Sequence, residues 1–123
     1  MIELLVDQAN FCTPGETRDP IAVVEQFVSA YNAHDLKQLR LLVTADAVFG
    51  SPSERLSGEQ VLENYESIVF ARFPAVRMIV EQRIASGDLV AQLDTIEGIA
   101  GLERGLTVYR VDGGCIVEMS INQ

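Results

Sequence analysis

At 123 residues the chain has room for one domain, and an apolar share of 48% is enough to close a core. Nine Lys or Arg against 18 Asp or Glu leave a net charge of −9. That balance argues against nucleic acid, where cations replace counterions along the phosphates, and against anionic membrane surfaces. No apolar run reaches membrane-spanning length, and Met1-Ile-Glu-Leu-Leu-Val-Asp7 carries acids where a secretory signal carries bases, so a soluble, cytoplasmic protein is expected.

Residues 1–18 read as an N-terminal arm, because Asn10 to Thr17 is rich in turn formers. The arm is loose, laid against the body, or exchanged with a partner chain. Cys12 belongs to it, and Cys115 lies far along the chain. Neither forms a CxxC pair or has a His at ligand spacing, so reduced thiols are expected, with a bridge as the alternative.

The domain proper spans 19–123. Asp19-Pro20 is a helix start, and Val23, Val24, Phe27, Val28 and Tyr31 follow at helical spacing. That helix ends near Asn32-Ala33-His34, and Asp35 caps a second through Leu36, Leu39, Leu42 and Val43. Ala47 to Gly50 reads as a short strand. Ser57-Gly-Glu-Gln60 is a capping box for a third helix that runs through Tyr65 towards Arg72 and stops at Pro74.

After Pro74 the period changes to that of strands: Val76 to Glu81, Leu89 to Ile99, Leu106 to Val111 and Cys115 to Ile121. Asp112-Gly-Gly114 is a tight hairpin turn. Helices first and an antiparallel meander afterwards make an α+β arrangement, a curved sheet with three helices on one face. The strands alternate poorly, with Val90 and Ile96 opposite in phase to Leu89, Leu93 and Thr95. A sheet apolar on both faces needs a second cover, which implies a homodimer packed sheet to sheet.

Several segments resemble the nuclear transport factor 2-like superfamily: Tyr31-Asn-Ala-His-Asp35, Ala45-Asp-Ala-Val-Phe49, Gly58-Glu-Gln-Val-Leu-Glu-Asn-Tyr65 and Tyr109-Arg-Val-Asp-Gly-Gly-Cys-Ile-Val117. The resemblance covers residues 20–123 and implies a cone, the cystatin-like α+β roll. The superfamily includes ketosteroid isomerase, SnoaL-type polyketide cyclases, limonene epoxide hydrolase, scytalone dehydratase and non-enzymatic modules, so the fold does not choose a chemistry. Against the isomerase, Phe27 stands where a tyrosine donor is needed, Ser51 where an aspartate base is needed, and Thr107 where a protonated aspartate is needed. A phenyl ring cannot donate, and a serine without a base does not take a carbon-bound proton. Steroid isomerisation by that mechanism is therefore not expected.

The resemblance implies an apolar pocket lined by Phe27, Tyr31, Phe49, Ser51, Tyr65, Leu93, Thr95, Thr107, Met119 and Ile121. Glu97, in phase with Leu93 and Thr95, would be desolvated there and could act as a general acid or base, with Tyr65 as a donor to a ligand oxygen. Asp94 would then point to the dimer face. His34, the sole histidine, is placed on an exposed junction. With no carboxylate cluster and no phosphate loop, no metal and no cofactor are expected. A hydrophobic small molecule and a second copy of the chain are the expected partners. The competing reading is a non-catalytic dimer that binds a ligand or partner.

Overall fold

The computed structural model describes residues 11–51, 53–101 and 104–122. The Asp19 carboxylate accepts from the backbone N–H of Ile21 at 3.2 Å, and Pro20 takes the first position of helix α1 (Pro20–Asn32). Val23, Val24, Phe27, Ala30 and Tyr31 form the buried face of α1. His34 then takes a left-handed φ of 54° that turns the chain, and Asp35 caps α2 (Leu36–Leu42) by accepting from the N–H of Gln38.

Strand β1 (Val43–Ser51) is longer than the alternation suggested, and the chain folds back as an unexpected short strand β2 (Glu54–Ser57). The capping box forms: the Ser57 hydroxyl accepts from the N–H of Gln60 at 3.1 Å, and the Gln60 side chain accepts from the N–H of Ser57 at 2.9 Å. Gly58 is required there, because any Cβ would collide with the carbonyl oxygen of Thr44 on β1. The third helix has an α-helical start, α3 (Gly58–Asn64), a π-helical stretch (Tyr65–Val69) and a last turn, α4 (Phe70–Arg72).

Strands β3 (Arg77–Ser86), β4 (Leu89–Glu97), β5 (Gly105–Asp112) and β6 (Cys115–Asn122) follow as a meander. The six-stranded sheet has the order β2-β1-β6-β5-β4-β3. Every neighbouring pair is antiparallel except β1 and β6, which run parallel. The long path from β1 through the third helix frees the last strand from hairpin direction. The three helices cover one face of the sheet, so the class is α+β.

The cysteines correct the expectation of free thiols. Cys12 and Cys115 form a disulfide, with Cα atoms 5.8 Å apart across 103 residues of chain. Arm residues from Phe11 onward lie on the body, and the first ten lie outside the described residues. Phe11 is buried, the Cys12 N–H donates to Val43 O (3.0 Å) and the Gly15 N–H donates to Gly113 O (2.9 Å). These contacts carry Cys12 across to the first residue of β6, which separation along the sequence could not reveal. The bridge also removes the ground for a reducing compartment that free thiols would supply. No helix among the described residues is long and apolar enough to cross a membrane.

Candidate functional site

The phase of β4 decides which side chains face the helices. Val90, Gln92 and Asp94 are buried, and across the ladder Val90 pairs with Tyr109 and Gln92 with Thr107, both also buried. The odd positions turn the other way. Leu93 pairs with the exposed Leu106, Thr95 is half-buried, and Glu97 sits exposed opposite Arg77 at the strand end. The expected phase is therefore inverted: Leu93, Thr95 and Glu97 leave the interior, and Asp94 enters it. The strand carries Leu and Ala outward and Gln and Asp inward, so apolar alternation points to the wrong face.

Of the other expected lining residues, Phe27, Tyr31, Phe49, Thr107 and Met119 are buried, and Tyr65 and Ile121 pack against the same core. Ser51 is exposed at the rim, where its hydroxyl lies 3.3 Å from that of Ser53. Phe27 fills rather than lines, with its ring 5.7 Å from Tyr109 and 6.5 Å from Phe49. The free space left at the cone mouth is about 170 Å³, bounded by Phe49, Ser51, Leu56, Tyr65, Met119 and Ile121. A larger groove of about 610 Å³ runs beside the arm, away from the buried polar cluster.

The π-helical stretch shapes this mouth. Residues five apart on an ordinary helix point about 140° apart. Here the Phe70 N–H donates to Tyr65 O, an i to i+5 bond that brings the two rings to one side. Both rings meet Tyr31 edge to face, at 5.2 Å and 5.3 Å. His34, expected in solvent, instead stacks on Phe70 at 4.2 Å, and its Nε2 lies 3.1 Å from Val76 O. Asn32 at the end of α1 ties β3 alongside, its amide nitrogen donating to Met78 O at 2.9 Å and its Oδ1 accepting from the Met78 N–H at 2.7 Å.

Behind the aromatic mouth lies a polar cluster on the inner face. The Gln92 amide nitrogen donates to Asp94 Oδ2 at 2.8 Å and to Tyr109 Oη at 3.1 Å, with Met78 Sδ 3.2 Å away. Arg83 donates from Nε and Nη2 to Gln92 Oε1, each at 3.2 Å, and its Nη1 lies 3.8 Å from Glu25 on α1. Asp94 is 5% exposed, and no cation pairs with it among the described residues.

Burial raises the Asp94 carboxyl above the ordinary 3.8, opposed by hydrogen bonds from Gln92 and Thr107. Burial, and then the Asp94 charge, push the Tyr31 phenol up to about 12. Tyr65 is raised by burial and then by Tyr31, and Tyr109 by burial and then by Asp94. The phenols therefore stay protonated, and the raised Asp94 carboxyl acts on two of them, Tyr31 and Tyr109, by its charge. Among the described residues no three His, Cys, Asp or Glu side chains converge to hold a metal.

A family described as the SnoaL-like domain matches residues 24–119. The chain belongs to this SnoaL-like family, within the nuclear transport factor 2-like superfamily. A loop-truncation variant of IdmH is 26% identical over 84% of this chain and 91% of its own, with a TM-score of 0.75. Wild-type IdmH, from Streptomyces antibioticus and proposed to be a polyketide cyclase, is 24% identical over 85% of this chain and 91% of its own, with a TM-score of 0.73. A cystatin-fold protein from Novosphingobium aromaticivorans shares 15% identity over 87% of this chain and all of its own, with a TM-score of 0.78. No curated protein matches.

Asp94 was the functional candidate that the sequence reading set aside. Its signal lies in the register. Gly105 stands directly opposite Asp94 on β5, so no side chain covers the carboxyl from that strand position.

Proposed function

We propose that this SnoaL-like protein handles a small, mostly apolar molecule bearing a carbonyl oxygen, with Asp94 as its acid–base residue. One observation carries the reading: a carboxyl that is buried, lacks a cationic partner among the described residues, and shares the Gln92 amide donor with the Tyr109 hydroxyl. When ionised, Asp94 can take a proton from the carbon beside a carbonyl, and the protonated Tyr31 can donate to the oxygen where charge develops. Relatedness to IdmH supports carbonyl chemistry of this kind. The space of about 170 Å³ accommodates a single ring and is bounded by Tyr65 rather than by Asp94 or Tyr31, so the reading requires the molecule to reach past the Tyr65 ring to the carboxyl.

We infer in addition that the protein is a homodimer, and the outer sheet face supports this. Ile84, Ala91, Leu93 and Leu106 line a groove of about 540 Å³ there, with Ile84 72% and Leu106 44% exposed. A second copy laid sheet to sheet would cover this face. The filled state of the cone around Phe27 and Tyr109 favours the second reading, a non-catalytic dimer that binds a ligand or partner.

The test is exchange of the α-protons of a single-ring ketone in deuterated buffer, followed by proton NMR. Wild type should accelerate exchange, and Asp94→Asn should lose at least about 100-fold of that acceleration. Equal exchange by wild type and Asp94→Asn ends the catalytic reading. Ketone-induced thermal stabilisation without exchange selects the binding reading.

A further inference from the structure

An amide presents an acceptor at one end and a donor at the other, and its neighbours decide which end faces which. Gln92 is fully buried, so neither end can turn to bulk water. Two Arg83 nitrogens donate to Oε1. A guanidinium offers no acceptor, so the amide nitrogen cannot face it. Nε2 is left pointing at Asp94 Oδ2 and Tyr109 Oη.

That orientation has a chemical consequence. A donor aimed at Asp94 favours its ionised form. The flipped amide would set an oxygen against the carboxyl, an arrangement tolerated only when Asp94 carries a proton. Arg83 is held in turn by Glu25, reaching over from α1.

We propose that Arg83 is a positioning residue that fixes the polarity of the Gln92 amide and so keeps Asp94 able to serve as a base. The inference deepens the function proposed above and rests on Asp94 being the working group there. The ionisable groups around the carboxyl are Tyr31 from α1, Tyr109 from β5 and, one ring further, Tyr65 from the third helix; Arg83 from β3 acts with Glu25 behind it.

The test reads the titration of the Asp94 carboxyl carbon by NMR, with Asp94→Asn giving the assignment. Arg83→Met should raise the midpoint by about one pH unit, the worth of one hydrogen bond to a charged acceptor. Arg83→Lys, which keeps a donor, should restore most of it. In a Gln92→Leu background Arg83→Met should add less than about a third of that shift, because the path through the amide is gone.

Equal shifts in both backgrounds would mean that Arg83 acts by its charge through space, and would overturn the inference. So would no shift in the wild-type background. Should Gln92→Leu not fold, the side-chain amide protons of Gln92 decide. In wild type they should move at the Asp94 midpoint, and in Arg83→Met they should cease to do so. Amide protons that still follow Asp94 in Arg83→Met would refute the positioning role. None of these readouts needs a substrate. Failed ketone exchange with an intact Arg83 effect thus rejects the proposed function alone, and normal exchange with no Arg83 effect rejects this inference alone.

Discussion

The two faces of the sheet divide their residue types against simple expectation. The inner face, packed under three helices, buries Gln92, Asp94 and Thr107 among apolar neighbours. The outer face presents Ile84, Leu93 and Leu106. A fold selected for monomer stability alone would place these the other way, since unpaired buried carboxyls cost stability and exposed apolar patches invite association. The inversion separates two demands on one strand. Under the proposed function, inward positions would serve an acid–base residue and outward positions would serve contact with a second copy.

The sharpest way to break this comparison uses adjacent residues on β5. Tyr109→Ala empties a fully buried site and should cost about 4 kcal/mol in denaturant unfolding. Val108→Ala, one residue away on the other face, should cost less than about 1 kcal/mol. Similar losses at the two positions would refute the face assignment. Next in size, Cys115→Ser releases a loop of 103 residues in the unfolded chain and should cost about 3 kcal/mol. Mixed expectations do not follow from it: the Asp94 midpoint and the sedimentation mass should both stay put, because the bridge serves neither face.

On the outer face alone, Leu106→Arg should weaken self-association by roughly 30-fold, near 2 kcal/mol, and leave the unfolding midpoint of the monomer intact. Sedimentation at several concentrations checks it, and an unchanged mass would remove the dimer. The smallest expected effect on stability belongs to Asp94→Asn. The folded-state carboxyl titrates above its ordinary 3.8, so its contribution is fully present below that value and is lost as pH rises through the raised one. At neutral pH the variant should therefore melt higher than wild type, and its stability should vary less with pH above 4. A variant that melts lower at neutral pH would show that the carboxylate is stabilised by its neighbours.

Much of the architecture was legible because local chemistry and tertiary context agree. Asp19-Pro20, Asp35 and the Ser57–Gln60 box mark helix starts with side chains that reach only their own backbone, and no distant partner alters them. The resemblance places Tyr31, Phe49, Tyr65, Met119 and Ile121 towards the interior, and all five are buried in or packed against the core. β4 failed because its inward positions hold Gln92 and Asp94, and the reason for burying them is chemical and not hydrophobic. β2, the parallel pairing of β1 with β6, and the Cys12–Cys115 bridge depend on contacts between distant segments. His34 misled for the same cause: its ring is covered by Phe70 and Val76, which a local reading cannot see.

The sheet order has a consequence for biosynthesis. β6 lies between β1 and β5, so the strand made after the other five must fill the middle of the sheet. Until residue 122 has emerged, β1 with β2 and β3 with β4 and β5 are two fragments with bare hydrogen-bonding edges. The nascent chain must keep those edges apart from other chains while β3, β4 and β5 are made, and the sheet can close only when β6 slots between them.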